Sequence, residues 1–404
     1  MRKKNASVLF MVYLFRVATA VLIASVVYSG ADYYTLKFWN TQDSHVVRIL
    51  DIGQTIRESP SEEEDEPFKT EKTELTVQSL TGKKRGQSFR LVATQMEGGG
   101  VKFERGHRYI LVSDVFEDGS ALYSIADAYR VSSVVWVIVL ACGVLIAIAG
   151  RSGLRALLGL GLSIVVLMWG YIPLVATGSP PVPLAFLAVF LISVFTVLCV
   201  VKRRQTRLVA LLGTLGGAAG GFGAGWLMVM FWHLTGLSGE NASLLFTTIP
   251  GIDIQGILLS SIIISAIGAV LDVGISITAA MSELVEYDPE ISLTHLWASG
   301  IRVGGEVLGS MINTLILAYL GTALPMTLLI SNAGPDLIGL LNDPYVGQEI
   351  VHSLAGTLGL LLTIPATATF FVFREKLRSR RSWPEGRLNS DGGSFEESDL
   401  DDDP

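Results

Sequence analysis

The sequence predicts an α-helical polytopic membrane protein, with about eight transmembrane helices and an N-terminal extracytoplasmic small β-barrel-like domain. Three observations lead there. Between about Val134 and Phe373 the chain returns repeatedly to apolar stretches near 20 residues, the length that crosses roughly 30 Å of hydrocarbon as a helix. Half of all residues are apolar, 17% are charged and 42 are glycine, a balance typical of helices packed in lipid. Basic residues gather at every second junction between the stretches.

The N-terminus carries Arg2, Lys3 and Lys4 before an apolar run from Val8 to Val27 that only Arg16 interrupts. Such a start reads as a cleaved signal or a signal anchor, and both place the following region outside the cytoplasm. The length of the run and the lack of a clean small-x-small site near Ser25–Ser29 favour an anchor over residues 1–29.

Residues 30–130 change character. Val46–Ile52, Glu74–Leu80, Gln87–Val92, Arg108–Val115 and Ala121–Ile125 are short β-branched and aromatic runs bounded by glycine and charge, and they predict five strands. Thr81–Gly86 predicts a hairpin turn, in which Lys83, Lys84 and Arg85 read better as solvated edge charges than as a contact patch. Five strands in so short a stretch suit an OB-like barrel, although strand number leaves other small β folds open.

The bundle, residues 131–373, is expected to hold spans near 131–149, 154–172, 182–201, 208–232, 252–281, 303–324 and 350–373. With the N-terminus inside, the cytoplasmic junctions hold Arg151 and Arg155, then Lys202, Arg203, Arg204 and Arg207, then Arg302, then Arg374, Lys376, Arg378, Arg380 and Arg381. The junctions expected outside, Pro173–Pro183, His233–Gly251 and Ala323–Glu349, carry no Lys or Arg. The positive-inside rule therefore predicts a plasma-membrane protein with cytoplasmic N- and C-termini and the β-domain outside. Residues 374–404 form an acidic cytoplasmic tail, and with Glu62–Glu66 they account for most of the net negative charge and read as disordered. Leu244–Gly256 and Leu324–Leu341, broken by Pro250, Gly251, Pro325, Gly334 and Pro335, read either as surface loops or as re-entrant segments.

Within the spans a few residues stand out. Gly217, Gly221 and Gly225 recur every four residues and expose one helix face as bare backbone for close packing. Asp272 lies in an apolar run, where an ionised carboxylate costs about 2.5–3.5 kcal/mol on insertion. Four residues turn a helix by about 400° and seven by about 700°, so Ser265, Asp272, Ser276 and Glu283 share a stripe. Arg302, Glu306, Ser310 and Asn313 form a matching stripe on the next span beside Gly305 and Gly309. If the two helices pack antiparallel, Asp272 stands between Glu306 and Asn313 in height. Asp272, Ser276, Glu306 and Asn313 are therefore the expected transport cluster, with Ser265, Glu283 and Arg302 secondary; the competing reading is a hydrogen-bond clamp in which Arg302 pairs Glu306.

Three blocks carry a resemblance: Leu271–Ile277 (LDVGISI), Gly304–Tyr319 (GGEVLGSMINTLILAY) and Glu349–Leu360 (EIVHSLAGTLGL). With Gly150–Leu154 and Tyr123–Arg130 they resemble the conserved blocks of YibE/F-like membrane proteins, over about residues 70–373. That family usually shows Asp where this chain has Glu306. The resemblance implies a multi-pass bacterial plasma-membrane protein with an outer N-terminal domain, and it brings no settled activity.

No His-Glu-x-x-His, Gly-x-Ser-x-Gly, P-loop or Cys-x-x-Cys pattern occurs, so no enzyme chemistry, metal or cofactor is expected. Glu349-x-x-His352 has the spacing of half a di-iron site, but the second copy is missing and a capping or interfacial role is preferred. The basic residues follow topology, which leaves nucleic acid without support. Two functions remain: a secondary transporter or ion-coupled permease for a small solute or ion, and a membrane-anchored scaffold whose β-domain recognises an envelope partner. The expected partners are the lipid bilayer, that solute or ion, and an envelope protein or a second copy of the chain.

Overall fold

The computed structural model describes residues 17, 19–21, 24–28, 44–58, 70–81, 85–96, 101–115, 121–238, 240–332, 334 and 337–381. The acidic run, Lys83, Lys84 and residues 382–404 of the acidic tail lie outside the described residues, as does most of the expected anchor, whereas 374–381, expected to be disordered, continue a helix. Of the anchor, a short apolar helix at Thr19–Tyr28 is seen. The chain divides into two compact units, Met1–Leu154 and Arg155–Pro404.

The first unit contains the five expected strands: β1 (Ser44–Glu58), β2 (Thr70–Ser79), β3 (Ser88–Met96), β4 (Arg108–Val115) and β5 (Ala121–Ala128). All pairings are antiparallel, in the order β3-β2-β1-β4-β5. Alternate residues point to one face, so Val47 and Ile49, Leu75 and Val77, Leu91 and Ala93, and Tyr109 and Leu111 meet in one apolar core. Gly86, at φ 85°, supplies the left-handed residue that turns β2 into β3. Tyr109 latches the segment before β4, its hydroxyl donating to the Lys102 carbonyl at 2.8 Å and accepting from the Glu104 amide at 2.9 Å. Burial pushes this hydroxyl above its ordinary pKa, which keeps it a donor.

The sheet is open, which corrects the expected closed barrel. β1, β2 and β4 each have two ladder neighbours, whereas β3 and β5 have one each. These two edges come near one another but share no ladder, so the hydrogen-bonded circuit that defines a barrel is missing.

Among the described residues, six helices are long and apolar enough to cross a membrane, against the eight spans expected of the whole chain: α1 (Val131–Ala176), α2 (Pro181–Val200), α3 (Arg204–Phe231), α5 (Ile254–Tyr287), α6 (Leu293–Asn332) and α8 (Pro344–Arg381, apolar to Arg378). The short helices α4 (Glu240–Thr248) and α7 (Leu337–Leu341) lie between them. The count differs because most of the expected anchor lies outside the described residues and because α1 takes in two expected spans, 131–149 and 154–172. Its backbone breaks at Gly150, with φ 57° and ψ −131°, and three residues later a Cβ placed on Gly153 would stand 2.8 Å from the Leu145 carbonyl oxygen. Residues eight apart in a straight helix are about 12 Å apart, so the chain doubles back here. Beyond Val165 the helix widens into a π turn over Val166–Tyr171.

The end of α6 also departs from expectation. The helix runs through Pro325 to Asn332 instead of stopping near Leu324, so 324–332 is regular backbone. Proline removes one helical donor, and neighbouring turns and helices make up for this in transmembrane segments.

In the second unit α3, α5 and α8 pack as a central trio, with α2 beside α5 and α6 against α5 and α8. One apolar cluster joins Val270, Val273, Ile277 and Met281 of α5 to Leu296 of α6 and to Leu360, Ile364 and Phe371 of α8. A second joins Ala185, Val189 and Ile192 of α2 to Ile263, Ile267 and Leu271 on the other flank of α5. Asp253 starts α5 by accepting the Gly256 amide at 2.8 Å, which satisfies one of the unpaired donors of its first turn.

Candidate functional site

The tightest surface in the bundle is the glycine stripe of α3. A Cβ placed on Gly213 would meet Thr367, on Gly217 Thr363, on Gly221 the Ala355 carbonyl and Gly359, and on Gly225 Ala355 and Ile262. Every fourth residue of α3 thus faces every fourth residue of α8, antiparallel, with only small residues between the backbones. Gly274 of α5 approaches Thr214 of α3 in the same way. Thr214, Thr278 and Thr363 turn their hydroxyls back to carbonyls four residues earlier, each at 2.7 Å, and so pass the core without unpaired donors.

Glycine contacts also set the register of α5 against α6. Gly300 meets Met281 and Gly304 meets Ile277, so the antiparallel count places Asp272 level with Gly309, between Glu306 and Asn313. The polar residues themselves do not bond one another. Asp272, Ser276 and Glu283 are exposed along one side of α5, and Arg302, Glu306 and Asn313 are exposed on α6. Among the described residues no hydrogen bond or ion pair links any two of these, and Arg302 does not pair Glu306. Gly268, Gly305 and Gly309 border the same exposed faces with open space beside them.

The stripe closes only toward the N-terminal end of α5. Ser265 Oγ, which donates to the Ile262 carbonyl at 3.1 Å, lies beside the Tyr319 hydroxyl of α6. One turn nearer the N-terminus of α5, Ser261 Oγ meets His352 Nε2 of α8 at 2.8 Å. The His352 ring stacks on Tyr319, with centroids 5.9 Å apart and planes 11° from parallel. Three helices are thereby joined through α5 serines, an imidazole and a phenol. Beside them a cavity of about 370 Å³ opens between α6 and α8, with Tyr319, Tyr345, Glu349 and Ser353 on its wall.

His352 and Tyr319 are site residues that the sequence reading passed over. Glu349-x-x-His352 has the spacing of half a metal motif, for which a capping or interfacial role is the preferred expectation, and among the described residues no three His, Cys, Asp or Glu side chains gather as metal ligands. The usable signal was the serine period: Ser261 stands four residues before Ser265, so the polar stripe already extended one turn past its assumed end.

Six long apolar helices, polar residues threaded along their faces and a separate N-terminal sheet define a multi-pass membrane protein. The YibE/F-like protein family matches residues 137–376, more than half of the chain, and the chain belongs to that family. No curated protein and no solved structure matches it.

Proposed function

We propose that this protein is a secondary transporter or ion-coupled permease that moves a small solute or ion across the plasma membrane. The observation that carries the reading is Asp272: a carboxylate in the middle of a 34-residue apolar helix, without a bonded partner among the described residues. A carboxylate at that depth is expensive, so such groups are retained mainly where they bind or relay a charge. Ser276 and Glu283 continue the same stripe inward, while Ser265, Tyr319, Ser261 and His352 continue it outward. Polar groups thus run along most of α5, as alternating access through one carboxylate would use them. Glu306 and Asn313, at the same height on α6, are the groups that would share the load with Asp272.

In the orientation that suits this reading, the helix ends at Arg203, Arg302 and Arg374 face the cytoplasm and the sheet faces outward. In a background without Cys142 and Cys199, Glu290→Cys should react with a membrane-impermeant maleimide only after cells are opened, and Thr235→Cys in intact cells. Labelling in the reverse order would invert the topology.

The transport test is solid-supported-membrane electrophysiology on proteoliposomes across a panel of ions and small solutes. Wild type should give substrate-dependent currents, and Asp272→Asn, folded to the same gel-filtration profile, should give none. Currents unchanged in the mutant would remove the carboxylate from the mechanism.

A second reading has its own support in the open sheet. The free edges of β3 and β5 could accept a strand from an envelope partner by β-augmentation. Under that reading, deletion of residues 33–129 abolishes function while Asp272→Asn is silent.

A further inference from the structure

At the end of the bundle where α3 begins and α8 finishes, two cavities meet at a pair of arginines. One is polar, about 730 Å³, and is walled by Arg203, Ser282, Glu286, Arg374, Glu375 and Arg378. The other is an apolar groove of about 800 Å³ between α3 and α8, with Leu208, Leu212, Phe370, Phe373 and Leu377 along it. Arg374 and Arg378 belong to both.

Charge in the polar cavity does not balance. Arg203 is matched, bonding Glu286 and donating to Ser282 Oγ at 3.0 Å. Glu375 is divided between Arg378 at 3.3 Å and Arg374 at 3.7 Å. Three arginines against two glutamates leave one cation in excess. Oε2 of Glu375 is buried without a hydrogen-bond donor among the described residues, 3.7 Å from Nη2 of Arg374, and Nη1 of Arg374 is likewise buried without an acceptor, so the excess falls on this side of the cavity. Phe371 holds the same guanidinium from below, its ring centroid 5.2 Å from Cζ, which leaves the planar fork positioned for an oxyanion.

We propose that this double cavity is a binding site for one anionic phospholipid. The phosphate meets Arg374 and Arg378, and the acyl chains lie in the groove along Leu208, Leu212, Phe370, Phe373 and Leu377. A soluble anion would account for the unsatisfied arginine but not for the groove. An uncharged lipid would account for the groove but not for the arginine. Only an amphipathic anion uses both, and basic pockets between helices at a membrane boundary commonly recognise such headgroups. The site goes beyond the transport reading and does not depend on it. The proposed topology enters only in assigning the lipid to the inner leaflet.

Native mass spectrometry on the full chain in detergent, offered equal amounts of dioleoylphosphatidylglycerol and dioleoylphosphatidylcholine, tests the proposal. Wild type should retain the anionic phosphatidylglycerol preferentially. Arg378 is 61% exposed and can be changed without disturbing the core. At about 1 kcal/mol for each basic residue, Arg378→Gln should weaken retention about fivefold, and the double change with Arg374→Gln about thirtyfold. Arg204→Gln, next to the site in sequence but on neither cavity wall, should have no effect. A matching thermal midpoint for Arg378→Gln separates loss of lipid from loss of fold. Equal retention of the two lipids, an equal loss in Arg204→Gln, or displacement of the lipid by inorganic phosphate would each overturn the proposal, the last by making this a soluble-anion site. The labelling experiment on topology can fail without touching any of these outcomes.

Discussion

Gly221→Ala is expected to lower the stability of the helical bundle by about 1–3 kcal/mol, the range for forcing volume into a packed interior. The added methyl would stand 2.9 Å from the Ala355 carbonyl oxygen and 3.0 Å from the Gly359 Cα. Both are backbone atoms of α8, so no side-chain rotation relieves the contact and the two helices must move apart. That displacement would loosen the contacts of Gly217 with Thr363 and of Gly225 with Ala355, since they lie on the same antiparallel seam. Gly223→Ala is the matched control two residues away, because no atom lies within 4 Å of its added Cβ. There the gain in helix propensity acts alone and raises stability by up to about 1 kcal/mol. Thermal denaturation in detergent, read by gel filtration, should therefore move the midpoints in opposite directions. A common direction for both would mean that close approach of α3 and α8 does not hold the bundle together.

The same seam marks what could be read from the sequence. Glycines at every fourth position announce a close helix contact by their spacing, but they do not name the partner; α8 presents Ala355, Gly359, Thr363 and Thr367 at the same interval, and only the fold brings the two together. The strands were legible because each carries its own alternation, as with Val47 and Ile49 or Leu75 and Val77. Barrel closure was not legible, because it depends on whether β3 and β5 pair, which no local pattern specifies. Gly150 was legible as a junction, and there the backbone leaves helical geometry. Pro325 was misleading: a break in a soluble helix is tolerated inside a transmembrane one. At the candidate site, the height of Asp272 between Glu306 and Asn313 followed from helical geometry. What could not follow was the outward exposure of both stripes, since rotation of a helix about its axis is set by its neighbours.

His352→Phe should leave the fold intact and abolish the transport current of the proposed permease. Phenylalanine keeps a ring to stack on Tyr319 but removes Nε2, and with it the 2.8 Å bond to Ser261. Because Ser261 also donates to the Leu258 carbonyl at 2.7 Å, its hydroxyl keeps a partner when the imidazole is gone. The structural cost is then close to that of one hydrogen bond, about 0.5–1.5 kcal/mol. A permease that relays charge along α5 would lose far more, because the imidazole, one turn from Glu349 on α8, is bonded to Ser261 at this end of the stripe and is able to accept a proton and give it up again. His352→Gln is the informative companion: it restores a hydrogen-bonding group toward Ser261 without restoring proton exchange. Recovery of stability but not of current in His352→Gln would assign the imidazole to proton relay. Recovery of both would make His352 a hydrogen-bonding strut between α5 and α8, and would leave Asp272 to carry the chemistry alone.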